Sequence, residues 1–377
     1  MSCEEHGNYF KLKFKKMPIK SLVFTVLTTI STLISAQSVN NAPNYVLDFI
    51  KNNPERSSIV FTRNDTTLAE LRQNLKFPLA STMKIIIAIE YAQQAAAGKI
   101  DPEEAIPLAD LDQFYVLNTD GNAHPDWIKD LRDKNLIQNE KVKLEHIAKG
   151  MIRYSSNANT EYLMDKLGID NINENLKKLD LPNHEKLYPI VSALFLTSNS
   201  KKLEPKQFLM DLTNLSKEDY IKKCFEIHER LKTDYNKKMK NNFIFPTMDL
   251  QRVWSDRLPA STTQEYVSIM QKINSRKYFN EKVQIHLDKL MEWALEYNPE
   301  NRKTFEHLGQ KGGSTAFVLT QSMYATLKNG KRMESAIFFN NLTDMEFSKL
   351  QAAMNDFNIS CISSKTCYDV AKQLMGK

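Results

Sequence analysis

Strand-like segments gather near both ends of this 377-residue chain, and helical patterning fills the interior. Ser58 to Thr62 and Thr66 to Leu71 read as two strands joined by the turn Arg63-Asn64-Asp65. Thr315 to Leu327 and Met333 to Asn341 read as two more, joined by Lys328-Asn329-Gly330-Lys331; Asn-Gly between apolar runs is a strong hairpin signal. From about Asp101 to Glu300 the periodicity is mainly helical. Short helices are expected over Asn44–Asn52 and Asp344–Met354, at the two ends of the folded part. A chain patterned this way can close one antiparallel sheet from its two termini, cover it with the terminal helices and insert a large helical part between. The expected fold class is therefore α/β of the α+β kind. Its sheet part spans about residues 42–80 and 305–356, and its all-helical subdomain about 85–300.

The first 36 residues read as a leader. Lys11, Lys13, Lys15, Lys16 and Lys20 precede an apolar stretch from Leu22 to Ile34, which closes with Ser35-Ala36. That stretch is short of the roughly 20 residues a spanning helix needs, so cleavage is expected rather than anchoring. Residues 1–36 are the expected signal peptide and 37–377 the exported domain, periplasmic or secreted. The formal charge of +6 falls to +3 once the leader's five lysines and two glutamates are subtracted. So mild a charge gives no argument for nucleic acid. Removing the leader also removes Cys3 and leaves Cys224, Cys361 and Cys367, of which Cys361 and Cys367 are the expected pair in an exported protein. No Cys/His spacing suggests zinc, and His184-Glu185 lacks the second histidine of a zincin helix.

Three short motifs carry the chemistry. In Phe77-Pro78-Leu79-Ala80-Ser81-Thr82-Met83-Lys84, a serine and a lysine stand three apart at the start of the apolar run Ile85–Ile89. Residues at that spacing share one helix face, and a buried lysine with a lowered pKa can take the proton of a serine hydroxyl. A helix start also favours developing negative charge. The bland alternative is a serine N-cap followed by a surface lysine. The pattern alone is weak, since Ser198-Asn199-Ser200-Lys201 matches it too, in polar surroundings that suggest surface.

The second motif is Tyr154-Ser155-Ser156-Asn157, a polar knot between two helical stretches. Ser155 can relay a proton to a leaving group, and the Asn157 amide can hold both the lysine and a substrate amide. The alternative is an ordinary helix–helix turn with a serine cap. The third is Lys311-Gly312-Gly313-Ser314-Thr315, entering the first late strand. Glycines on an edge strand let a substrate backbone come close, and the lysine offers charge to a carboxylate. Its alternative is again a turn.

In this order and context the three resemble the active-site serine penicillin-recognising family, most closely the class A β-lactamases and their D,D-peptidase relatives. The resemblance covers roughly residues 42 to 356 and implies a β-lactamase/transpeptidase-like fold. It also implies Ser81 as nucleophile, Lys84 as its base and Ser155 as proton relay. Asn157, Lys311, Gly313 and Ser314 become substrate-binding residues, with the Ser81 and Ser314 backbone N–H groups as oxyanion hole. The expected substrate is a small β-lactam or a cell-wall peptide, met by a monomer without cofactor or metal and, once the leader is cut, without a membrane. Three departures stand out. Gly312 lacks the usual hydroxyl, and Ser156 replaces an acid common in class A enzymes. Leu181 to Ile190 holds no recognisable deacylating-glutamate motif, leaving Glu185 as the nearest candidate, with an exposed look beside His184 and Lys186. The readings left open are a β-lactamase-like hydrolase, a D,D-peptidase or penicillin-binding protein, and a sensor that stays acylated.

Overall fold

The computed structural model describes residues 42–363. The leader and Cys367, hence the Cys361/Cys367 pairing, lie outside them; Cys361 itself is buried.

Five antiparallel strands make the main sheet: β1 (Ser57–Arg63), β2 (Thr66–Leu71), β3 (Phe305–Ser314), β4 (Leu319–Leu327) and β5 (Arg332–Phe339). Their spatial order is β2-β1-β5-β4-β3, so the two termini meet where β1 pairs with β5. Ile59 stands opposite Ile337 and Val60 opposite Ala336. Alternate side chains feed two cores. Val60, Ala336 and Phe338 face the helical part, while Ile59, Phe61, Ile337 and Phe339 face the terminal helices Ala42–Asn52 and Asp344–Ser363. Both faces are apolar because both are covered, which explains the nearly continuous burial along β1 and β5. The α+β architecture expected from the sequence is the one observed.

The Asn329-Gly330 hairpin joins β4 to β5, with Gly330 at a φ of 80°, a value that favours glycine. One late strand differs from expectation. Thr315 to Leu327 is not continuous: Thr315 N–H donates to Val318 O at 3.0 Å, closing a turn, and β4 begins at Leu319. The Lys311 motif therefore lies at the end of a separate strand, β3, rather than entering β4. With three glycines and few apolar residues, Phe305–Ser314 carries no alternation of its own. It is held by its pairing with β4, as an edge strand can be.

At the centre of the helical part runs Lys84–Ala96, buried from Lys84 through Ala92. A helix apolar all round belongs inside, and this one is wrapped by Leu144–Arg153, Asn157–Leu167, Ile169–Lys178 and Glu281–Met291. It stops at Gly98, whose φ is 67°. Ser198 is buried rather than surface: its Oγ accepts the Ile244 N–H at 2.8 Å, a structural bond, while Lys201 is exposed. No helix among the described residues is long and apolar enough to cross a membrane.

Candidate active site

Ser81 does not open the α-helix directly. It sits in a 3₁₀ turn, Ala80–Met83, and Lys84 is the first residue of the helix proper. Two anchors place that turn. Phe77-Pro78 pairs with Ala260-Ser261, and Leu79 N–H donates to Pro259 O at 3.0 Å. From the sheet, the Thr320 hydroxyl donates to Leu79 O at 2.8 Å. Ala80 takes a φ of 46° and Ser155 a φ of 67°. Left-handed backbone at non-glycine residues costs about 1–3 kcal/mol each and gathers at functional sites.

The knot expected between two helices is there. The helix Leu144–Arg153 ends just before it and Asn157–Leu167 begins within it. Ser156 is a fully buried N-cap, its Oγ accepting Asn159 N–H at 3.2 Å and lying 2.9 Å from His124 Nδ1.

Lys84 reaches the knot. Its Nζ donates to Ser155 O at 2.6 Å, Asn157 Oδ1 at 2.8 Å and Ser155 Oγ at 3.3 Å. None of these bonds goes to Ser81 Oγ, although the three-residue spacing had suggested that partner. From the sheet, Lys311 Nζ donates to the same Ser155 Oγ at 3.0 Å and to Gly312 O at 2.6 Å. One serine hydroxyl thus bridges two buried lysines that are 227 positions apart in the chain.

Burial, then the charge of Lys311, pushes the Lys84 pKa well below the ordinary lysine range, against a smaller opposing pull from Asp120. For Lys311, burial alone lowers the pKa to about 7. The mutual lowering expected of two like charges therefore acts on Lys84, after burial, whereas Lys311 is shifted by desolvation.

Gly313 closes the geometry. It stands opposite Thr320 in the ladder, and a Cβ there would lie 2.6 Å from Leu79 O, 2.6 Å from Ser81 N and 2.7 Å from Thr82 N. All three are backbone atoms that no rotamer change can move. Gly313 therefore lets β3 press against the turn that carries Ser81 and brings Ser314 beside it. Gly313→Ala is expected to keep the circular dichroism of the fold while lowering the acylation rate by about 10²-fold or more through displacement of the turn. Acylation at the wild-type rate in this variant would contradict that positioning role.

Ser81, Ser155, Asn157, Lys311, Gly313 and Ser314 all line one cleft. Sequence reasoning missed Asp120, Arg153, Trp254 and Trp293, which line it too. The Asp120-Gly121 turn before a helix was the available signal for the first; Arg153 reads as an ordinary basic residue in the last turn of its helix, and the two tryptophans as core. The Leu181–Ile190 loop contributes Ile190 to the cleft. Contrary to the look of its sequence, His184 is buried, its Nε2 lying 3.0 Å from the Tyr266 hydroxyl. Glu185 is half-buried and turned elsewhere: it pairs with Lys217 and accepts Ala260 N–H at 3.0 Å. The cluster of Asp165, His228 and Glu229 lies away from the cleft lining. There Asp165 already pairs with Lys232 at 2.8 Å, and buried Glu161 lies 3.1 Å from His228 Nδ1.

Among solved structures, the chain is similar in fold to a class A β-lactamase from Bacteroides cellulosilyticus, at 17% identity and a TM-score of 0.51, covering 88% of this chain and 98% of that one. It is similar to the extended-spectrum β-lactamase TLA-3 at 13% identity and a TM-score of 0.52, covering 90% and 99%. A mutant of PBP-A, solved as an acyl-enzyme complex with penicillin G, gives 13% identity and a TM-score of 0.50, covering 85% and 96%. No curated protein matches the chain. The model of the β-lactamase enzyme family matches residues 41–294, more than half of the chain, taking in Ser81, Lys84, Ser155 and Asn157 and ending before β3. The chain belongs to the β-lactamase enzyme family of serine hydrolases.

Proposed function

We propose that this protein is an exported hydrolase of the class A β-lactamase type, which opens a β-lactam or related amide through an acyl-enzyme on Ser81. The observation that carries the reading is the Ser155 hydroxyl held between buried Lys84 and buried Lys311, in the cleft that Ser81 lines. Burial and the charge of Lys311 favour the deprotonated form of Lys84, in which two N–H groups remain for Ser155 O and Asn157 Oδ1 and a lone pair can take a proton. Ser81 Oγ attacks the amide carbonyl carbon and its proton passes to Lys84 Nζ. The oxyanion is received by the Ser81 and Ser314 backbone N–H groups. As the C–N bond breaks, Ser155 Oγ gives its proton to the leaving nitrogen and regains one from the lysines. Lys311 holds the substrate carboxylate and Asn157 orients the acyl amide.

Deacylation needs a water and a base. Glu185, held by Lys217 and Ala260 N–H, is not among the residues lining the cleft. Losing a general base costs a step about 10²–10⁴-fold. That observation favours, as a second reading, a D,D-peptidase or a β-lactam-binding sensor that deacylates slowly. The test is a chromogenic β-lactam followed by absorbance and by intact mass. A burst of one equivalent, slow turnover, a visible adduct and little effect of Glu185→Gln are expected. Rapid turnover without a burst, with an adduct trapped by Glu185→Gln, would instead assign the base to this loop.

A further inference from the structure

Asp120 lies in the turn before the helix Ala123–Asp133 and is 6% exposed. It is the one carboxylate among the described residues lining the cleft, where the other charged side chains are Arg153 and Lys311. Its Oδ2 accepts His124 N–H at 3.1 Å, and the backbone amides of Asn157 and Ala123 also favour its charged form. Its Oδ1 is buried and accepts no hydrogen bond. A buried carboxylate oxygen in that condition is costly unless a cation meets it. Lys84 is near enough to favour the ionised form, yet its donors are taken by Ser155 and Asn157. Burial raises the Asp120 pKa to about 6, so the group is mainly ionised at neutral pH. Its neighbour is Asn157, on the acyl-amide side of the site, whereas Lys311 lies on the sheet side.

We propose that the Asp120 carboxylate, the one acid among the described residues lining the cleft, binds a protonated amine on the acyl side of the substrate, so that the cleft selects zwitterionic amides with a carboxylate for Lys311 and an ammonium for Asp120. This deepens the hydrolase reading and rests on it for the orientation of the substrate. Ampicillin and benzylpenicillin differ by one α-amino group on the acyl side chain and form the probe pair. Acylation rates of both are measured at neutral pH by intact mass for the wild type and for Asp120→Asn, which keeps the acceptor for His124 N–H. The loss on ampicillin is expected to exceed the loss on benzylpenicillin by about tenfold or more, the range of one charge-assisted hydrogen bond. Equal losses on both would overturn the proposal, whether Asp120 acts there as a helix cap or as a water-activating base, and so would an unchanged ratio of rates.

If neither penicillin acylates the wild type, the β-lactam reading fails on its own. Asp120 is then read by calorimetric titration of cationic phenylglycinamide against neutral phenylacetamide. Tighter binding of the cation that disappears in Asp120→Asn supports the ammonium site, and no preference for the cation refutes it.

Discussion

Ser81→Ala protein mixed with an acylating β-lactam or a fluorophosphonate is expected to gain no mass, while the wild type gains one adduct. Ser81 is half-buried in its turn, and none of the three hydrogen bonds of Lys84 goes to its Oγ. Removing the hydroxyl should therefore change stability within about 0.5 kcal/mol, as for substitutions that break no named interaction. Loss of labelling at an unchanged melting temperature separates chemistry from folding. An adduct on the Ser81→Ala protein would place the nucleophile elsewhere.

The two lysines should fail in different ways. Lys84→Ala is expected to slow acylation of every substrate by about 10²–10⁴-fold, the usual worth of a general base. Lys311→Ala is expected to lose roughly tenfold to a hundredfold more on substrates with a carboxylate than on neutral esters, because a charge partner is removed. The pH profile carries the same distinction. Lys84 must be neutral to accept a proton, and burial with the Lys311 charge already holds its pKa well below the ordinary range. Lys311 must be charged to hold a carboxylate, and burial brings its pKa down to about 7. For carboxylated substrates kcat/KM should therefore fall as pH rises through about 7, since it reports groups on the free enzyme. Neutral esters should lack that falling limb. The same limb on both substrate types, or equal losses in Lys311→Ala, would remove Lys311 from the carboxylate role.

Position in the chain and chemistry at the site obey different rules. The Ser81-x-x-Lys84 spacing is local, but it led to the wrong hydrogen-bond partner. Helical neighbours share a face, yet Lys84 has four side-chain carbons, and the buried acceptors of the knot take the hydrogen bonds of its amine. The Glu185 loop went the other way. Its sequence has no recognisable motif, and only the packing of Lys217 and Ala260 against it shows where the carboxylate is turned.

The sequence by itself determined the elements whose signals lie within a few residues. These are the Asn329-Gly330 hairpin, the apolar helix after Ser81 with its stop at Gly98, the knot between two helices and the closure of a sheet from both termini. In each, backbone geometry or apolar periodicity is encoded where it is used. Tertiary structure alone decided what depends on pairing across the chain. Strand β3 is polar and glycine-rich, so its extended form is held by β4 and not by its own side chains. Gly313 meets the backbone of Ser81 only once that strand is in place. Asp120 reads as an ordinary turn aspartate in sequence; folding buries it beside Lys84 and Asn157 with one oxygen unpaired. Desolvation is the physical reason. The pKa values of Lys84, Lys311 and Asp120 are set by the water that packing removes, and no spacing in the sequence encodes that.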